Sequence, residues 1–369
     1  MPSDHFLVKN ELRAVTSLSL LSMCRFGLRG GVLFIATLAA ASPVADRDSA
    51  EWPFAPDSPW NTPLGAAAAI EPADSPCSRM LVDEKLAADV NAEQWSHPIY
   101  VASATDPLVK IVVKGEQVAT IRVPKSAEPA KPRSEDSDAH LHIIDPERRY
   151  VHELWHASRR KAGHILAEGY TRNDLRGPGV GEGGERAYGG SALGGLIRRR
   201  ELTQGIRHAL AMALPRTHLR LGPVWPATKQ DDGAESTYRG TVPMGQLVTL
   251  LPKQNLDTLG LSPEGKVLAR ALTEYGAYVV DASSDLTFYA EPSAEPDLQP
   301  LRADLAKLRP LFRCVTNASK DAVGGPGARV APAAPPLRPP LSDSEAKAVA
   351  PPTAKGKSGA TGPKGKARK

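Results

Sequence analysis

Proline and glycine interrupt this chain too often for long helices: 34 prolines and 31 glycines are spread over 369 residues. Proline removes a backbone donor and clashes with the preceding helical turn, and glycine carries backbone freedom that a helix must freeze. Between the breaks lie short apolar runs rich in Val and Ile, such as 98-PIYVAS-103, 108-LVKIVVKG-115 and 117-QVATIRVP-124. Their period of two reads as half-buried strands. A loop-rich β protein is expected rather than a helical bundle, and the length suffices for one large domain or two small ones.

The two ends are of a different kind. Arg25 and Arg29 precede the apolar run 31-GVLFIATLAAA-41, and small residues follow in 42-SPVAD-46. This order is that of a secretory signal covering residues 1–45, cleaved after Ala41 or Ala45, with Met23 as an alternative start. The run is too short for an ordinary membrane span. Export to the periplasm or the medium places Cys77 and Cys314 in an oxidising compartment, as one disulfide or as two buried thiols. From Gly327 to Lys369 the chain is rich in Pro, Ala and Lys and carries nine Lys/Arg against two Asp/Glu. That is +7 of a whole-chain charge of +5, so the rest sums to −2. Such a segment buries too little apolar surface to order itself, and is expected to be a disordered tail able to touch an anionic polymer. The chain shows no RNA- or DNA-binding motif, so nucleic acid is not an expected partner. A monomer with one domain over residues 46–326 is the expectation.

Along that domain, 52-WPFAPDSPWNTPLG-65 is too broken for a regular element and reads as an extended arm. Trp60 and Asn61 either pack there or line a sugar cleft. The stretch 138-DAHLHIIDPERRYVHELWH-156 holds four of the nine histidines. As a hairpin turning at 146-PERR-149, it pairs Ile144 with Val151, His142 with Glu153 and His140 with Trp155. His140, His142, Glu153 and Trp155 then share one face, and His152 and His156 are expected on the solvent side. The glycine-rich 176-RGPGVGEGGERAYGGSALGG-195 lacks the Gly-Lys-Ser/Thr of a phosphate loop and reads as a flexible lid. A helical turn at 197–203 and a strand from Ile206 follow. The spacing predicts a helix over 262–276, capped by Ser262 with Pro263 in its first turn and ended by Gly276. The spacing also predicts a hairpin over 277–292 and a last helix near 298–310. The fold class expected is an antiparallel two-sheet sandwich of jelly-roll type with a few short helices.

Seven segments, 57-DSPWNTPLG-65, 138-DAHLHIID-145, 153-ELWHA-157, 200-RELTQGIRHAL-210, 223-PVWPAT-228, 242-VPMG-245 and 275-YGAYVVD-281, together resemble exported bacterial proteins associated with carbohydrate-active enzymes. The resemblance covers residues 50–325 and implies a β-sandwich with a glycan-facing cleft; it carries no catalytic assignment.

Three chemistries fit the residues. Glycoside hydrolysis needs a carboxylate pair, for which Asp138, Glu153, Glu201 and Asp281 are candidates. Polysaccharide elimination needs a base and a cation, parts that His208, Tyr275 and Arg198 could fill, with His140 beside them. His140-x-His142 with a carboxylate is also a workable divalent-metal site, and its spacing to Glu147 matches the centre of the cupin motif. The flanking glycines and third histidine of that motif are absent. The expected function is an exported hydrolase or lyase acting on a polysaccharide or cell-wall glycan, with Trp60, Asn61, Trp155, Arg198 and Tyr275 as binding residues. A non-catalytic glycan-binding module and a cupin-like metalloprotein are the alternatives. Each residue also has an ordinary role: Asp281 at a turn, Glu201 paired with Arg198, His208 hydrogen-bonded in the core.

Overall fold

The computed structural model describes residues 46–348, apart from 132–136, 161–162, 182 and 252–253. The expected signal segment and residues 349–369 lie outside the described residues. The chain is mainly β, with sixteen short strands and a few short helices among the described residues. The strands are β1 (Ala88–Asn91), β2 (Ile99–Val101), β3 (Leu108–Val113), β4 (Glu116–Arg122), β5 (Leu141–Ile144), β6 (Tyr150–Trp155), β7 (Ser158–Arg160) and β8 (His164–Ala167). They continue as β9 (Gly169–Asp174), β10 (Leu210–Pro215), β11 (Leu219–Arg220), β12 (Val242–Pro243), β13 (Leu247–Leu250), β14 (Ala277–Ser283), β15 (Leu286–Tyr289) and β16 (Phe312–Cys314). The α-helices are α1 (Pro76–Leu81), α2 (Glu201–Gln204), α3 (Ala234–Thr237), α4 (Pro263–Glu274), α5 (Leu298–Leu308) and α6 (Asp343–Ala348).

Local chemistry explains the elements that the sequence announces. Ser262 Oγ accepts the N–H of Gly265 at 3.0 Å and Pro263 opens α4, so the helix starts where its cap is. It stops where Gly276 takes φ +80°. In the β5–β6 hairpin Leu141 pairs with Leu154, His142 with Glu153 and Ile144 with Val151.

The sheets are mixed, which corrects the expected antiparallel sandwich. The largest runs β1-β15-β10-β14-β13-β16; two four-stranded sheets run β2-β5-β6-β9 and β4-β3-β8-β7. The pairs β1–β15, β10–β14, β2–β5, β3–β8 and β11–β12 are parallel. The hairpin expected at 277–292 forms both its strands, but β10 lies between them, parallel to β14 and antiparallel to β15. Strand β10, LAMALP, is buried almost throughout, and a run without a polar face belongs at the centre of a sheet.

One apolar core gathers the six-stranded sheet with α4, α5 and the N-terminal arm; a smaller one fills the space between the two four-stranded sheets. Cys77 of α1 and Cys314 of β16 form a disulfide across 237 residues, so of the two states open to these cysteines the bridged one is present. Residues 327–348 do not leave the fold, which corrects the expected start of the tail. Arg47 forms a parallel bridge with Leu337, Gly65 an antiparallel one with Arg329, and the Leu341 N–H donates to the Glu147 carbonyl at 3.0 Å. These are backbone contacts, and composition is blind to them. No helix among the described residues is long and apolar enough to cross a membrane.

Candidate functional site

A pocket of about 430 Å³ opens on one face of the six-stranded sheet. Register builds it. Asp89 of β1 lies beside Thr287 of β15, Thr287 beside Ala213 of β10, and Ala213 beside Asp281 of β14, so one row of side chains crosses four strands on one face. Ala213, the smallest of the row, is buried between its acidic ends. Asn91 and Tyr289 form the next pair on that face, and Asp138, Trp95 and the 282–285 turn complete the wall.

Asp281 reaches this face through a bulge. Met212 pairs with Val279 and Ala213 with Asp281, so Val280 is the extra residue. Without it the alternation would turn Asp281 to the other side. The carbonyls that flank this kink are taken by the surrounding loops: Tyr188 N–H donates to Val280 O at 3.0 Å and Gly245 N–H to Val279 O at 2.7 Å.

Burial pushes the Asp281 carboxyl up to about 7; Arg186 opposes this, and Asp231 and Asp138 add to it. A carboxyl in that range holds a proton near neutral pH and can donate it. Asp138 stands in the same pocket with its side chain 37 % exposed. Its Oδ1 accepts the Trp155 indole N–H at 3.1 Å, and its Oδ2 lies 3.7 Å from His140 Nε2. Tyr289 is capped by the Arg186 guanidinium, 4.1 Å from its ring centroid. Arg186 is buried; its Nη2 donates to Ala192 O at 3.2 Å, whereas Nε and Nη1 have no partner.

Behind Asp138 three histidines converge. His140 and His142 come from the start of the β5–β6 hairpin, and His97 comes from the loop between β1 and β2. All three are buried, and one ring nitrogen of each lies within 4.8 Å of the other two. His97 Nδ1 and His142 Nε2 are 2.9 Å apart, and the Nδ1 atoms of His140 and His142 have no partner. Burial, helped by Arg186, lowers all three below the usual imidazole range, His140 to about 4 even with Asp138 pulling the other way.

The remaining sequence candidates lie elsewhere. Glu153 is fully buried and accepts the Ser191 hydroxyl and the Ala192 N–H at 3.0 Å, so it ties β6 to the glycine-rich loop. That loop is no free lid. Tyr188, Ser191, Leu193 and Leu196 are buried, and Gly195 at φ +70° passes so near β10 that a Cβ would stand 2.2 Å from Ala211 N. Glu201 and His208 pair at 3.1 Å, and Arg198 Nε meets Glu291 at 3.3 Å. Arg198 and His208 border a crevice of only about 10 Å³, which leaves no room for a sugar ring. Trp60 and Asn61 are core residues: the indole packs edge-on to Tyr188 and Tyr278, and the amide donates to the Pro53, Phe54 and Ala55 carbonyls. Tyr275 is buried at the C-terminal cap of α4. Trp155 does not line the pocket; it stacks on His156, and its indole N–H donates to Asp138. Glu147 borders a different pocket, about 490 Å³ beside α6, so the cupin-like spacing does not bring it to the histidines. His152, expected in solvent, is buried with Nδ1 2.9 Å from the Tyr170 hydroxyl.

Sequence reasoning missed His97, Arg186, Trp95 and Tyr289. His97 lies 43 residues before His140, without a motif to link them. Arg186 sits in a segment read only for its glycines. Trp95 gave one signal, an aromatic beside polar residues, which is common on any surface, and Tyr289 sits in an apolar run that reads only as strand. No protein-family model, no curated protein and no solved structure matches this chain.

Proposed function

We propose that this protein is an exported hydrolase of neutral or amino-sugar glycans, with its active site in the pocket between Asp138 and Asp281. The observation that carries the reading is the union in one pocket of two differently held carboxyls with an exposed tryptophan. Asp281, half-buried, supplies the proton to the leaving-group oxygen. Asp138, open to solvent and oriented by Trp155, faces the sugar or the attacking water. Trp95 is 41 % exposed at the rim and offers a flat apolar surface to a pyranose ring.

The charge of the pocket selects among substrates. Asp89, Asp138 and Asp285 line it beside Asp281, and their negative charge disfavours a uronate chain. Arg198 and His208, the pieces expected of a lyase, are held in the closed crevice. The Cys77–Cys314 disulfide fits export to an oxidising compartment.

The test is to incubate the full-length protein with neutral, amino-sugar and uronic polysaccharides. New reducing ends are expected from one of the first two classes. Asp281→Asn is expected to cut the rate about 10²–10⁴-fold, and Trp95→Ala to raise KM more than it lowers kcat. Ultraviolet-absorbing unsaturated products from uronates would sink the hydrolase in favour of a lyase. Glycan binding that needs Trp95 but yields no products would leave a binding module, the reading that the exposed indole favours next.

A further inference from the structure

We infer that His97, His140 and His142 form a binding site for one divalent transition-metal ion of the zinc class, with Asp138 as the fourth ligand. This does not rest on the glycan reading; it stands on the cluster itself.

Three imidazoles are costly to bury without partners, because each brings one N–H donor and one lone pair away from water. Here the cluster makes a single internal hydrogen bond, between His97 Nδ1 and His142 Nε2. Two further nitrogens, His140 Nδ1 and His142 Nδ1, are buried without a partner. A core histidine kept for packing usually finds a carbonyl or hydroxyl, as His208 does with the Ala209 carbonyl and Glu201. In this cluster His140 meets the Leu154 backbone, and His97 and His142 are given to each other. The His140 and His142 rings lie 4.3 and 5.1 Å from that of His97, tilted by 32° and 24°. An ion at about 2.0–2.1 Å from each of three nitrogens spaces them by about 3.4 Å; here they lie within 4.8 Å of one another, so the rings would adjust to close on it.

The first shell comes from two separate pieces of chain. His140 and His142 stand two residues apart at the start of a hairpin whose register is fixed by its apolar partners Leu141 and Leu154. His97 is held in its loop by the neighbouring Ser96 hydroxyl, which donates to Ala290 O at 2.8 Å. Asp138 stands beside His140, its Oδ2 3.7 Å from Nε2, and would turn toward His97 and His142 to join them. Imidazole with one carboxylate suits zinc and its first-row neighbours and does not suit calcium or magnesium, which prefer all-oxygen shells. Arg186 is the one cation that acts on all three histidines, and the carboxyls of Glu153 and Asp281 lie in its field as well. The same Asp138 lines the pocket, so the ion would fix the side chain that faces the ligand.

The experiment uses the full-length chain, purified without a chelating tag. Metal analysis by mass spectrometry is expected to find about one zinc-class ion per chain. After stripping, cobalt(II) is expected to restore visible absorption bands that saturate at one equivalent, and zinc to raise the melting temperature. His97→Ala and His142→Ala are expected to abolish the bands, and Asp138→Asn to weaken binding about 10–100-fold. His164→Ala, an imidazole of the other four-stranded sheet, is expected to leave them unchanged. Wild-type protein that takes up neither cobalt nor zinc would overturn the site without recourse to any variant. So would one equivalent that persists in a folded His97→Ala protein, which would place the ion on the surface.

Discussion

The cluster of Arg198, Glu201, His208 and Glu291 and the cluster of His97, His140 and His142 are both buried, and both place an imidazole among charged neighbours. Their surroundings treat them in opposite ways. In the first, each acid has a base: Glu201 meets His208, and Glu291 meets Arg198 and the Arg199 N–H. Burial alone would lower His208, but the charge and hydrogen bond of Glu201 outweigh it, and its pKa is raised. In the second, no acid is in hydrogen-bond reach, two nitrogens are unpartnered, and burial lowers all three imidazoles. The first borders a crevice of about 10 Å³ and the second backs a pocket of about 430 Å³. Arg198 Nη1 in the first cluster is also unpartnered, so the contrast lies in the acids, which meet a base in the first cluster and are out of hydrogen-bond reach in the second.

The largest effect is expected from breaking the closed cluster. Glu291→Gln leaves the Arg198 guanidinium buried and charged without its counter-ion, and such a loss costs about 3–5 kcal/mol. A denaturant melt should show this, with the catalytic constants of the surviving folded protein unchanged. If glycan turnover fell while stability did not, the roles given to the two clusters would be reversed.

The pH dependence of stability separates them further. His208 has a raised folded pKa, so its contribution is complete below the unfolded value near 6.5 and is lost as pH rises through the folded value. Glu201 has a lowered pKa, so its contribution is present above its unfolded value and disappears under acid. Melting temperatures across pH 5–9 should fall on the alkaline side in the wild type and fall less in Glu201→Gln. A steeper alkaline loss in the variant would contradict the pairing.

The smallest effect sharpens the open site. Trp155→Phe keeps the ring and removes the N–H that holds Asp138 Oδ1 at 3.1 Å. A hydrogen bond to a carboxylate is worth about 1.5–3 kcal/mol when buried and less at a half-exposed one. A several-fold loss of turnover with unchanged melting is expected. A large drop in melting temperature would make Trp155 a core residue instead of a positioning one.

Much of the hairpin was legible because strand alternation is a local property. Once 146-PERR-149 is read as a turn, His142 must face Glu153, and the structure has that pairing. The start of α4 was legible for the same reason, since Ser262, Pro263 and Gly265 are adjacent in sequence. Asp138 and Asp281 could be suspected as carboxyls but not joined, because 143 residues separate them. His208 and Glu153 drew attention as polar residues in apolar runs. Their partners, Glu201 and Ser191, decide that they are bound up in the fold.

A mainly β chain of short strands, the face shared by His140, His142 and Glu153, and the capped helix over 263–274 are written in local residue order. Each follows from chain periodicity, turn chemistry or a cap within a few residues. The entry of β10 between β14 and β15, the Val280 bulge that turns Asp281 into the pocket, and the meeting of His97 with a pair of histidines far along the chain come from long-range packing. Strand order and bulges are set by how apolar faces pack across the whole core. That packing joins residues a hundred or more positions apart, where local spacing carries no signal.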